Sequence, residues 1–92
     1  MKVFISADLE GVAGIAAWDE TEKGSGAYPY FADQMTKEVV AACTGANLAG
    51  AKEIMVKDAH DTGRNINPAL LPENVKLIRG WTGHPFSMVQ GF

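Results

Sequence analysis

With a single cysteine, Cys43, the chain has no way to form an internal disulfide and no thiolate set for a structural metal site. Cys43 lies among Ala41, Ala42 and Thr44 in a helical stretch, which marks it as a buried structural thiol rather than a nucleophile. Basic residues are few and scattered, and the formal net charge is −3, so there is no concentrated positive patch to displace counterions from nucleic acid. Nucleic acid is not an expected partner. No run reaches the ~18 apolar residues that a bilayer crossing needs, so no membrane association is expected either. The apolar start Val3-Phe4-Ile5 is too short for a signal-peptide core and gives way at once to Asp8 and Glu10, which makes the cytoplasm the expected location. Repeats, low-complexity tracts and flexible linkers are also lacking, and one domain is the ceiling for 92 residues.

What is present is the make-up of an ordinary globular domain, 47% hydrophobic and 21% charged. A chain this short buries only about 60 to 65% of its unfolded surface, so its core is marginal unless something else covers it. Val3 to Ala7 reads as a short strand buried on both faces, as in a parallel sheet. Val12 to Ala27, with Gly24, Gly26 and a charged cluster from Asp19 to Lys23, has no sustained period and reads as a long loop. From Tyr30 to Ala49, apolar Phe31, Met35, Val39, Ala42, Cys43, Ala46 and Ala49 recur every three or four positions, which predicts one amphipathic helix with Pro29 in its first turn and Gly50 closing it. Glu53 to Lys57 is a second strand, Pro68 to Leu71 one helical turn, Val75 to Ile78 a third strand, and Phe86 to Gln90 the beginning of a further helix. The expected fold class is α/β: a parallel-sheet βαβ core with helices on its faces, incomplete in this chain, since one full helix leaves the opposite sheet face without a partner.

In open α/β sheets, ligands bind beyond the carboxyl ends of the strands. Asp8 and Glu10 fall just past the first strand and His60 just past the second, so neighbouring strands would bring all three together. In an extended chain Asp8 and Glu10 point to the same side, and Gly11 permits the turn that follows. Two carboxylates held close repel unless a cation neutralises them, and mixed oxygen and imidazole donors suit zinc, manganese or ferrous iron better than calcium. Against this stand ordinary readings: a strand-terminal Asp often caps a turn, a lone His is more often a satisfied core residue, and an acid-x-acid pair is common. Spacing alone leaves the two evenly matched.

Ser6-Ala7-Asp8-Leu9-Glu10-Gly11 with Val12-Ala13-Gly14, then Val56-Lys57-Asp58-Ala59-His60, then Pro85-Phe86-Ser87-Met88-Val89 with Gly91, resembles the zinc D-aminopeptidases of bacterial dipeptide-transport operons. The resemblance runs through essentially the whole chain. It implies that Asp8, Glu10 and His60 are zinc ligands, with Asp8 bridging two metal ions, and that the activity is metal-assisted hydrolysis of short peptides with an N-terminal D-residue, such as D-Ala-D-Ala. It also implies a ring-like homo-oligomer. Members of that family are longer, and their remaining ligands, a His and a Glu, with a His assigned to catalysis, come after the point matching Phe92. Residues 1–92 are therefore expected to be the N-terminal portion of a single α/β metallopeptidase domain, carrying part of a dinuclear site and inactive alone. His84 matches no ligand of the family and reads as a loop residue.

Two other layouts suit the same residues. Asp8-Leu9-Glu10-Gly11 mimics the haloacid-dehalogenase-like phosphotransferases, but Glu10 stands where that family has Asp, Val12 where it usually has Thr, and Asp58 with His60 where it expects Ser or Thr. A non-catalytic assembly module using the open sheet face is the third reading. Asp58 is expected to cap a loop, with orientation of His60 as the alternative. Lys57 and Arg64 are expected to be solvated, and Trp18, Tyr28 and Tyr30 to pack beside the loop or line a substrate entrance.

Overall fold

The computed structural model describes residues 1–92. The βαβ unit forms where the pattern places it: β1 (Lys2–Ala7), α1 (Tyr28–Leu48), β2 (Glu53–Asp58), then β3 (Val75–Ile78). The three strands pair in the order β1-β2-β3, all parallel. Ala7 lies opposite Asp58, so β1 and β2 end level with each other. That register decides where the residues after each strand meet.

Alternation along β2 sends Ile54 and Val56 into a core with Met35, Val39 and Cys43 of α1, Leu9, Val12 and Ile66. The helix begins at Tyr28, with Pro29 in the first turn, where its missing N–H costs nothing. It ends in a Schellman motif: Ala51 N–H donates to Ala46 O, Gly50 N–H to Asn47 O, and Gly50 takes the left-handed conformation (φ 87°) that this closure requires. The buried stripe is Ala32, Met35, Thr36, Val39 and Cys43. It is rotated from the expected one, and Ala42 and Ala49 are exposed. Thr36 explains the rotation: its hydroxyl donates to Ala32 O and accepts from Asn67 N, so a polar side chain sits buried but satisfied against the loop after β2.

The sheet face opposite α1, carrying Phe4 and Met55, has a thin cover rather than none. Residues 87–89 make a single 3-10 turn where a helix was expected, and Ser6 Oγ donates to Met88 O at 2.7 Å. Phe92 meets Phe4 edge to face, with ring centroids 5.6 Å apart. A cavity of about 400 Å³ lies between this tail and the sheet, and Phe86 and Phe92 are largely exposed. The incompleteness expected of the fold therefore lies on this face. No helix is long and apolar enough to cross a membrane.

Candidate metal centre

Asp8 and His60 owe their proximity to the level ends of β1 and β2. Ala59 N–H donates to Ala7 O at 2.8 Å, carrying the ladder one step beyond the strands before both chains turn away. The chain after Asp8 does not stay extended: Leu9–Gly11 is a 3-10 turn anchored by the wholly buried Leu9. Glu10 reaches the same point as Asp8 through that turn, not by strand alternation.

The His60 ring is buried, 7% exposed, and both its nitrogens are engaged. Nδ1 lies 3.0 Å from Asp8 Oδ1 and 2.7 Å from Glu10 Oε1. Nε2 lies 2.7 Å from the carbonyl oxygen of Thr21. A carbonyl can only accept, so Nε2 carries the proton, and a neutral ring then presents the Nδ1 lone pair to two carboxylate oxygens. Three acceptors facing one another are stable only if a cation lies among them, either a second ring proton or a metal ion. One ligand atom from each of Asp8, Glu10 and His60 falls within 4.8 Å of the others, and the separations from Nδ1 are on the order of those between neighbouring ligands around one small cation. Donor chemistry and geometry therefore fit a borderline divalent ion.

Burial alone would lower the His60 pKa, but the Thr21 carbonyl, Glu10 and Asp8 together hold it above its ordinary value. In metal-free protein the imidazolium–carboxylate attraction is fully present below about pH 6.5 and is lost as pH rises through the raised pKa. Melting temperatures in a chelator from pH 5.5 to 8.5 should show the wild type losing its advantage over His60→Gln as pH rises. An advantage that stays constant or grows would contradict this assignment.

The long loop before α1 supplies Thr21. Residues Trp18–Thr21 form a 3-10 turn, in which the Thr21 hydroxyl donates to Trp18 O and Glu20 Oε1 accepts from Ala16 N and Ala17 N. Thr21 acts on His60 through a backbone carbonyl, which no side-chain pattern in the sequence announces. Glu10 and Thr21 also border an open cavity of about 330 Å³ walled by Ile15, Ala16, Ala17 and Trp18. Tyr30 is exposed, and the hydroxyl of half-buried Tyr28 donates to Asn65 Oδ1.

Asp58 caps the loop, the first of its two expected roles. Its fully buried carboxylate accepts from Asn65 N, Ile66 N and Asn65 Nδ2, while the His60 ring proton goes to Thr21. Lys57 departs from expectation: it is fully buried, with Nζ 2.6 Å from Gly80 O and 4.1 Å from the centre of the Trp81 ring. It belongs to the face carrying the 81–92 segment, which folds over it. Arg64 is exposed, and His84 is an exposed loop residue whose Nδ1 accepts from Phe86 N.

Comparison with known proteins shows the family of the chain. The sequence profile of a family described as D-aminopeptidase matches residues 1–92. A D-aminopeptidase from Bacillus subtilis (strain 168) is 34% identical over 93 residues, covering 99% of this chain and 33% of the relative. A solved structure described as the Zn-dependent D-aminopeptidase DppA from Bacillus subtilis, a self-compartmentalizing protease, superposes with a TM-score of 0.91 at 32% identity, covering 99% of this chain and 33% of that one. The chain thus spans about a third of the length of the relatives it matches, and across all of its 92 residues it belongs to the D-aminopeptidase family.

Proposed function

We propose that Asp8, Glu10 and His60 would hold a zinc ion and that the whole protein hydrolyses short peptides bearing an N-terminal D-amino acid. The observation carrying this reading is the His60 ring. Its proton is committed to the Thr21 carbonyl, so Nδ1 is left as a lone pair pointing at two carboxylates. The names of the relatives, a D-aminopeptidase and a Zn-dependent one, supply the reaction class.

A bound divalent ion supplies Lewis-acid polarisation of the peptide carbonyl and lowers the pKa of a water molecule. The residues of this chain prepare for that chemistry. The Thr21 carbonyl fixes the tautomer and plane of His60, as an outer partner of a metal-ligating imidazole commonly does. Asp8 and Glu10 bring negative charge to a site half-open to solvent, where it can attract a cation and, at the same edge, the ammonium group of a peptide N-terminus. The relative described as self-compartmentalizing supports assembly into a homo-oligomer.

The test is cleavage of D-Ala-D-Ala and L-Ala-L-Ala by the whole protein, before and after chelation and zinc return. Preferential cleavage of the D-peptide, abolished by chelator and restored by zinc, is the expected result. Equal cleavage of the L-peptide, or activity indifferent to chelation, would overturn the proposal.

A further inference from the structure

The turn that carries His60 is held from two sides. On one, Asp58 and Asn65 grip it: the Asn65 side chain, bound to Asp58, donates through Nδ2 to His60 O at 2.6 Å. The other side is gripped by the segment leaving β3. Gly80 N–H donates to Gly63 O at 2.8 Å, and the two backbones pass so closely that a Cβ on Gly63 would lie 2.8 Å from Gly80 N. Trp81 Nε1–H donates to the carbonyl of Asp61. Beneath both, Lys57 Nζ donates to Gly80 O and lies under the Trp81 ring.

Asp61 is the residue that needs holding. It sits immediately after His60 with φ at 46°, in the left-handed region that a non-glycine residue adopts only at a cost, although Asp tolerates it better than most. The turn is closed by Gly63 N–H donating to His60 O at 2.7 Å. Relaxation of Asp61 towards negative φ would open that bond and rotate the His60 backbone away from β1. The Trp81 indole bond acts on the carbonyl that such a relaxation would swing. Burying Lys57 is otherwise unfavourable, and its two partners are the two residues of this strap.

We infer that Trp81, seated on Lys57, is a positioning residue: it holds Asp61 in its left-handed conformation and so fixes His60 where it meets Asp8 and Glu10. The part of this concerning metal affinity rests on the proposed zinc site; the part concerning the turn does not. Trp81→Phe is the discriminating variant, because it keeps an aromatic ring, though a smaller one, beside Lys57 while removing the N–H donor. In the whole protein, amide hydrogen exchange at Gly63 in the metal-free state and zinc affinity by competition with a chelating dye are both read, with circular dichroism and melting as controls on the fold.

The expected result is roughly tenfold faster exchange at Gly63 and about tenfold weaker zinc binding, the lower end of the 10–100-fold scale on which outer partners of metal ligands act. Both should return towards wild type in Trp81→Phe/Asp61→Gly, since glycine takes the left-handed conformation freely. Asp61→Gly alone should keep at least the wild-type zinc affinity, and a loss there as large as that of Trp81→Phe would overturn the inference. So would unchanged exchange in Trp81→Phe, or an effect that Asp61→Gly fails to restore. If the wild type binds no zinc, the zinc reading fails, and exchange at Gly63 decides the positioning role separately.

Discussion

Asp58→Ala will cost about 3–5 kcal/mol of stability in the metal-free protein, a large share of the roughly 5–15 kcal/mol available to a small domain. The carboxylate is wholly buried and accepts from Asn65 N at 2.6 Å, Ile66 N at 2.8 Å and Asn65 Nδ2 at 2.9 Å. Alanine leaves two backbone donors without their acceptor, and Ile66 N is in a buried setting where water cannot easily substitute. The damage does not stop there. Asn65 loses the partner that orients its amide towards His60 O and, through Tyr28, the start of α1. Asp58→Asn keeps one acceptor oxygen but sets an NH2 group against N–H donors, so it should lose less, about 1–3 kcal/mol. Urea unfolding of the three proteins in the presence of chelator measures the series. An Asp58→Ala loss below about 1 kcal/mol would show that the loop is held by something else.

The paired substitution Asp8→Asn/Glu10→Gln will lower zinc affinity by about a thousandfold or more while leaving the fold nearly untouched. Changes to the outer partners of a metal site typically cost 10–100-fold, and this pair removes both anionic charges of the proposed ligand set. Neither residue contributes a side chain to the core, and both are partly exposed. Their role in metal-free stability is confined to pairing with protonated His60. Once the pH is above the raised His60 pKa that pairing is absent, so in chelator, at the alkaline end where the pH dependence levels off, the variant should be no less stable than the wild type to within about 1 kcal/mol. Isothermal titration with zinc at that pH, alongside the urea midpoint, separates the two effects. A parallel fall in stability and affinity would mean that the carboxylates are structural.

The strands and the helix could be read from the sequence because their signals are local. Ile54-Met55-Val56 and Val75-Lys76-Leu77-Ile78 are short β-branched or apolar runs between turn residues, and α1 has Pro29 and Gly50 at its ends. The convergence of Asp8, Glu10 and His60 could also be read, because parallel strands ending level place the residues after them together. The route of convergence could not. Whether Asp8-Leu9-Glu10 continues extended or turns depends on Leu9 finding the core, which is a tertiary event. Spacing alone also left a phosphotransferase layout open, and it was family membership across residues 1–92 that singled out the peptidase.

What the sequence hid acts through backbone atoms or over long separations. Thr21 contributes a carbonyl, so any residue type at that position would read the same. Lys57 looks like a solvated strand-end residue until the segment around Trp81, more than twenty positions later, folds across it. Asp61 gives no local hint of its left-handed conformation, since its glycine neighbour is two residues further on. Thr21 meets the His60 ring itself, Asp61 follows it in the turn, and Lys57 lies under the Trp81 segment that bonds to that turn.

The central claim, that Asp8, Glu10 and His60 jointly hold a metal ion, is tested most directly by anomalous diffraction from zinc-loaded crystals of the whole protein, recorded on both sides of the zinc absorption edge. The account predicts a peak about 2.0–2.2 Å from His60 Nδ1 and from an oxygen of each of Asp8 and Glu10, with His60 Nε2 still directed at Thr21 O. Ordered density for all three side chains with no anomalous peak among them, or a peak bound to His60 through Nε2, would contradict it.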